Sequence, residues 1–226
     1  MSSPPLSFWR AARHELSVAW SRLQIRRANM PSGLGDAVWT LHGLVRTLKP
    51  SVCVEIGSAH GLSTCVIALA LKQNLHGRLW AVDPHLPNAW SDDQAGDTWS
   101  DLARNLRRAR VSSYVEVVRL KSAEAGPHLP SAIDFAFIDG DHSYEGVRTD
   151  WSLLAPRMTP GGILALHDTL WDRKAGDPEY RKWRRPDMGV PRFMEELRNA
   201  GYPIITLEQN WGLSLVHARP GGWSFV

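Results

Sequence analysis

Cysteine is nearly absent: the 226-residue chain has two, Cys53 and Cys65. A disulfide framework or a thiolate metal site draws on more than that, so both are expected to be small, buried, apolar residues. Long hydrophobic runs are missing as well, which excludes a helix spanning a bilayer. The amino-terminal MSSPPLSFWRAARHEL lacks the apolar centre of a signal peptide, so a cytoplasmic protein is expected. Nor does charge of one sign accumulate. With 26 Lys+Arg against 23 Asp+Glu the net charge is +3, and the arginines are spread over several segments, so nucleic-acid binding is not expected. Repeats and low-complexity tracts are also lacking. What the chain does have is 43% hydrophobic residues, enough for one well-packed α/β domain, and 11 tryptophans. Trp90, Trp99, Trp171 and Trp183 fall in segments that otherwise read as polar loops, where aromatics often serve ligand binding.

Periodicity organises the rest. Trp9, Ala12, Leu16, Trp20 and Leu23 recur at helical spacing over residues 8–28, with Arg10, Arg13, Arg22, Arg26 and Arg27 on other faces. This amphipathic helix is expected to form an N-terminal cap, residues 1–32, packed against the domain or against a sister subunit of a homo-oligomer. A membrane-surface role is the alternative. A second helix over about 34–48 leads to Lys49-Pro50, and strand and helix then alternate. Strands are predicted at 52–57, 78–83, 115–121, 133–139 and 162–167, and helices at about 62–74, 98–109, 144–155 and 189–200. Such alternation implies a mainly parallel sheet covered on both faces. The end departs from it: Ile204–Glu208 and Leu213–His217 flank Gln209-Asn210-Trp211-Gly212, which reads as a hairpin.

Within this pattern VCVEIGSAHGLSTCVIALAL, Val52 to Leu71, runs as strand, glycine-bearing turn and helix without a break. Gly57 and Gly61 let the backbone approach a ligand closely, and the helix opened by Ser63-Thr64 presents free N–H groups. Neither the dinucleotide fingerprint G-x-G-x-x-G nor a phosphate loop ending in G-K-S/T is present, which counts against a nicotinamide-dependent dehydrogenase. An acid before G-x-x-x-G instead resembles the first motif of class I S-adenosylmethionine methyltransferases. A tight βα turn that merely packs an ordinary α/β protein is the other reading. The resemblance implies an α/β, Rossmann-like class I methyltransferase fold over residues 33–226: a mainly parallel seven-stranded sheet ending in an antiparallel hairpin, with N-terminal helices. It also implies S-adenosylmethionine as cofactor, held by Glu55, Gly57, Ser58, Gly61 and Ser63.

In open α/β sheets ligands bind beyond the carboxyl ends of the strands, so polar residues at those ends are the candidates. Asp83 ends the second strand and suits the paired hydroxyls of a ribose; as a plain loop residue it would be a cap. IDFAFIDGDHSYEGVRTDW carries Asp139 and Asp141 two residues apart, hence on one side if the strand continues that far. The next strand ends in His167-Asp168, and adjacent strand ends would gather Asp139, Asp141, His167 and Asp168 in one small volume. Carboxylates with an imidazole suit a divalent ion such as Mg²⁺ or Mn²⁺. Otherwise Asp141 or Ser143 caps the following helix and His167 is a core histidine.

The pairing of IDGDHSYEGV with GGILALHD resembles the bacterial class I O-methyltransferases near macrocin and other antibiotic sugar O-methyltransferases, and more distantly catechol O-methyltransferase, over about residues 33–217. The resemblance implies Asp139 and Asp168 as metal ligands and Asp141 as general base. His142 is a further candidate for proton transfer, and His167 stands where the relatives have an acid, as a possible third ligand. Ser122 and Ala123 fall where the family has adenine contacts, and Asp139 also borders the cofactor. The implied reaction is metal-assisted methyl transfer to a hydroxyl of a small molecule, a sugar-bearing or polyphenolic natural product. Two insertions, His85–Thr98 and Thr169–Met188, are rich in Trp, Arg, Asp and Pro and would select the acceptor, the second as a lid or else as an oligomer contact. A different reaction on the same cofactor, or a non-catalytic binding subunit, are the alternatives. Clustered carboxylates that repel one another argue against the latter.

Overall fold

The computed structural model describes residues 6–28, 30–86, 98–172, 188–219 and 222–223. Seven strands are present among them: β1 Val52–Ile56, β2 Arg78–Val82, β3 Val115–Val118, β4 Ile133–Ile138, β5 Met158–His167, β6 Ile204–Leu207 and β7 Leu213–His217. The helices are α1 Leu6–Arg27, α2 Val38–Leu48, α3 Leu62–Asn74, α4 Thr98–Arg108, α5 Ser122–Ala125, α6 Tyr144–Leu154 and α7 Val190–Asn199. The sheet order is β3-β2-β1-β4-β5-β7-β6. Strands β1 to β5 pair in parallel, and β7 is antiparallel to both β5 and β6. This is the mainly parallel sheet with a terminal hairpin expected from the alternation of elements. Strand β3, by contrast, stops at Val118, short of the predicted end at 121, and the short α5 follows from Ser122.

Side chains alternate across the central strands because the strand period is two. Phe135 and Phe137 of β4 face one apolar layer with Val66 and Leu69 of α3, Leu41 of α2 and Leu102 of α4. Ala136 and Ile138 face the other, with Trp151 and Leu154 of α6 and Phe193 and Met194 of α7. Two covered faces leave no wet side to the middle of the sheet, which is why β1 reads apolar at nearly every position. Helix α3 is apolar all round for a similar reason. Ser63 through Lys72 are all buried, the sheet lying on one side and α1 and α2 on the other. Cys53 and Cys65 are free and buried in this layer. No helix among the described residues is long and apolar enough to cross a membrane.

Candidate functional site

Main-chain hydrogen bonds hold the carboxyl ends of the strands level with one another. Gly57 N–H donates to the Val82 carbonyl at 2.9 Å, Asp139 N–H to that of Ile56 at 2.9 Å, and Asp83 N–H to that of Val118 at 3.1 Å. Gly57 has φ +90, and a Cβ there would stand 2.0 Å from the Asp139 carbonyl oxygen. Only glycine permits that approach, so Gly57 serves first to seat the β4 end against β1. Gly61, φ +91, opens α3 without a side-chain cap, so the first-turn N–H groups receive nothing from that residue. An uncapped helix start beside a glycine turn fits an anionic group.

Around this turn the sequence-predicted cofactor residues fall into two sets. Asp83 lies at the open edge: its Oδ2 accepts the Ala59 N–H at 2.8 Å and its Oδ1 the His85 N–H at 2.7 Å, fixing the carboxylate while leaving lone pairs outward. Ser58 is buried, with its hydroxyl 3.4 Å from His85 Nε2. Glu55 is fully buried instead. Burial pushes its carboxyl up to about 8 against hydrogen bonds from Ser63 and Thr64, the Thr64 hydroxyl donating to Oε2 at 2.5 Å. Glu55 therefore stands beneath the turn as a neutral acid. Ser122 and Ala123 open α5. Ser122 hydrogen-bonds Asp150, a second buried carboxyl that burial raises to about 7.

The strongest grouping lies at the ends of β4 and β5. Asp139, His142 and Asp168 each offer one donor atom, all within 4.8 Å of one another. His142 bridges the two acids, Nε2 to Asp139 Oδ1 at 3.4 Å and Nδ1 to Asp168 Oδ2 at 3.2 Å. His167 Nδ1 lies 3.1 Å from Asp139 Oδ1 and 3.2 Å from Asp168 Oδ1. Its Nε2 is 2.8 Å from the Asn210 carbonyl, an acceptor only, so Nε2 carries the proton and donates it. Burial works to lower the proton affinity of both imidazoles, and Asp168 and Asp139 outweigh it, raising His142 and bringing His167 to about 9. Burial likewise favours a protonated Asp139, yet His167 and His142 hold its carboxyl well below the usual range.

Asp141 does not join this group. Strand β4 stops at Ile138, and Asp141 turns outward, exposed, with Oδ1 accepting the Ser143 N–H at 2.9 Å. Ser143 in turn caps α6 by accepting from the Gly146 N–H at 3.0 Å. Gly140 interrupts the pleat, so the two-residue spacing does not put Asp139 and Asp141 on one side. The insertions are described only at their ends: residues 87–97 and 173–187, with Trp90 and Trp183, lie outside the described residues.

Residues 54–169, about half of the chain, match the family described as Methyltransferase domain. The chain belongs to this family. Among solved structures it is similar to the SAH-bound Podospora anserina methyltransferase PaMTH1, with TM-score 0.66 and 13% identity over 97% of this chain and 100% of that one. It is also similar to the O-methyltransferase TomG from Streptomyces achromogenes, in complex with SAM, with TM-score 0.63 and 20% identity over 90% of each chain. An uncharacterized protein, y4gI, of Sinorhizobium fredii (strain NBRC 101917 / NGR234) is 27% identical over 170 residues, 69% of this chain. The chain spans only 18% of the length of that curated relative.

Residues outside the motifs also adjoin the group at the ends of β4 and β5. The β6–β7 turn carries Asn210 at φ 48 and Trp211 at φ 70, both left-handed. Asn210 gives its carbonyl to His167, and its Nδ2 donates to the Leu34 carbonyl at 2.8 Å. Trp211 stacks on Trp171 with ring centres 4.1 Å apart. A Cβ on Gly33 would meet His167 at 3.3 Å and Trp211 at 3.5 Å, so the segment before α2 forms a wall of the same site. An Asn before Trp-Gly in a hairpin turn was the available signal, since Asn tolerates the left-handed region.

Proposed function

We propose that this domain transfers a methyl group from S-adenosylmethionine to a hydroxyl of a small, ring-bearing acceptor, with a divalent ion held by Asp139, Asp168 and His167. The unit responsible is residues 33–226, with residues 1–32 as a cap. The observation that carries this reading is the closed group of two aspartates and two histidines at the ends of adjacent strands, next to the uncapped start of α3.

The groups have separable tasks. Asp83 receives the ribose hydroxyls, and the turn from Gly57 to Gly61 with the α3 start receives the methionine end. The cofactor, when bound, supplies an electrophilic methyl on a positively charged sulfur. His167, with one nitrogen committed to Asn210 and the other facing both carboxylates, has the second-sphere support typical of a metal-bound imidazole. A bound divalent ion would supply Lewis acidity toward the acceptor oxygen. His142 is more open, its side chain 14% exposed against 3% for His167. In its neutral form it takes the acceptor's hydroxyl proton as the O–CH₃ bond forms and the S–CH₃ bond breaks, and Asp139 and Asp168, which raise its proton affinity, stabilise the resulting imidazolium. The Trp171–Trp211 stack beside His167 offers a flat apolar wall suited to a sugar face or an aromatic ring.

The roles separate in one experiment on ion binding, cofactor binding and turnover. Asp139→Ala, Asp168→Ala and His167→Ala should lose Mn²⁺ binding by calorimetry, and turnover with it. His142→Gln should keep Mn²⁺ and S-adenosylmethionine but lose about 10²- to 10⁴-fold in rate, the usual worth of a general base. Asp141→Asn should stay within a few-fold of the parent, given its outward orientation; a loss as large as that of His142→Gln would return the base role to Asp141. Asp83→Ala binding the cofactor as tightly as the parent would refute the ribose assignment, and full turnover after exhaustive chelation would refute the ion.

A further inference from the structure

The outward face of α1 has no part in the site above. Val18, Ser21 and Ile25 turn inward and are buried, whereas Trp9, Leu16, Trp20 and Leu23 are 55%, 73%, 44% and 40% exposed. These four recur at i, i+7, i+11 and i+14, so at about 100° per residue they form one narrow apolar line along the helix. Arg10, Arg13, Arg22, Arg26 and Arg27 are exposed on the same helix, against a single acid, Glu15. Arg110 extends the basic border, its guanidinium 5.2 Å from the centre of the Trp20 ring. Arg107 and Arg108, exposed in the last turn of the neighbouring α4, add to it.

A second copy of the chain fits this face poorly. An antiparallel self-pairing centred on Leu16 would bury the apolar line but bring residue 10 opposite residue 22, arginine against arginine, with one glutamate per helix to offset five arginines. An acidic planar surface has no such conflict. Tryptophan and leucine can enter the headgroup boundary while the flanking arginines meet anionic headgroups, and the helix is already held flat by its packed inner face.

We propose that the outer face of α1 docks the protein on an anionic lipid surface. The test uses the full chain with vesicles of phosphatidylcholine alone, or with about one third phosphatidylglycerol, at low and high salt. At least about tenfold more protein should sediment with the anionic vesicles, and added salt should reduce it. Leu16→Asp combined with Trp20→Ser should lose that binding about tenfold with the native circular-dichroism spectrum retained, since Leu16 and much of Trp20 face solvent. Equal sedimentation with both vesicle types would overturn the proposal, as would undiminished binding of the double variant. A dimer in sedimentation equilibrium that Leu16→Asp dissociates, without vesicle binding, would assign the face to a second copy instead.

Discussion

Glu55 and Asp150 lie under the site as buried carboxyls, and each has one oxygen, Oε1 and Oδ2, lacking a hydrogen-bond partner among the described residues. Burial raises Glu55 from 4.5 to about 8 and Asp150 from 3.8 to about 7. The folded chain thus keeps two protons that the unfolded chain has already released, and folding stability falls as pH rises between about 5 and 8. Without a bound ion, His167, raised from 6.5 to about 9, acts in the same direction: its stabilising charge is complete below about 6.5 and is lost as pH rises through 9. Glu55→Gln keeps an acceptor for Thr64 and cannot ionise. It should flatten this slope, the parent losing at most about 4 kcal/mol through Glu55 by pH 8. Unfolding midpoints by circular dichroism across that range are the measurement, and a variant as pH-sensitive as the parent would exclude Glu55 as the cause. Much of the site was legible at this scale, because Asp83, Asp139, His167 and Asp168 all follow directly on apolar strand runs. The bond from His167 to the Asn210 carbonyl was not: Asn before Trp-Gly marks a left-handed turn, but a main-chain acceptor does not show which side chain it will meet.

At the scale of elements, the reading succeeded where period decided and failed where a glycine interrupted it. The α3 limits follow from a glycine start and a continuous apolar run, whereas the expectation that Asp141 shares a side with Asp139 needs β4 to continue through Gly140, and the strand ends at Ile138. The turns themselves do the joining. Gly57 lets β1 and the β4 end close upon each other, and the strained Asn210–Trp211 turn ties β7 to His167 and to the segment before α2. Gly57→Ala combines a left-handed backbone with a Cβ 2.0 Å from the Asp139 oxygen, a contact that only main-chain movement relieves. A loss of at least about 3 kcal/mol is expected. The displaced atoms belong to Asp139, so Mn²⁺ affinity should fall even at temperatures where the variant stays folded. Chemical denaturation beside Mn²⁺ calorimetry reads both effects, and a destabilised variant with parental ion affinity would separate the turn from the site.

Across the whole molecule, the two apolar layers fix the sheet, and α1 joins one of them through Val18 and Ile25 and is tied to α3 by Lys72. This lysine sits on the outer side of α3, is buried, and its Nζ donates to Ser21 Oγ at 2.8 Å, to the Arg110 carbonyl at 3.2 Å and to the Ser17 carbonyl at 3.4 Å. One cation thereby fastens α1 and the residues after α4 to α3. The three acceptors use all of its N–H groups, which is what allows a charge to stay buried there. Lys72→Ala removes the stem as well as the donors and leaves polar atoms unpaired, so a loss of about 2–4 kcal/mol is expected. Lys72→Met restores the apolar stem without the donors and should recover part of it. Release should be local before it is global: limited proteolysis ought to cut within residues 6–27 in Lys72→Ala while the remainder resists, because the sheet and its layers do not depend on this tie. Simultaneous loss of protection along the whole chain would instead make α1 part of the cooperative core.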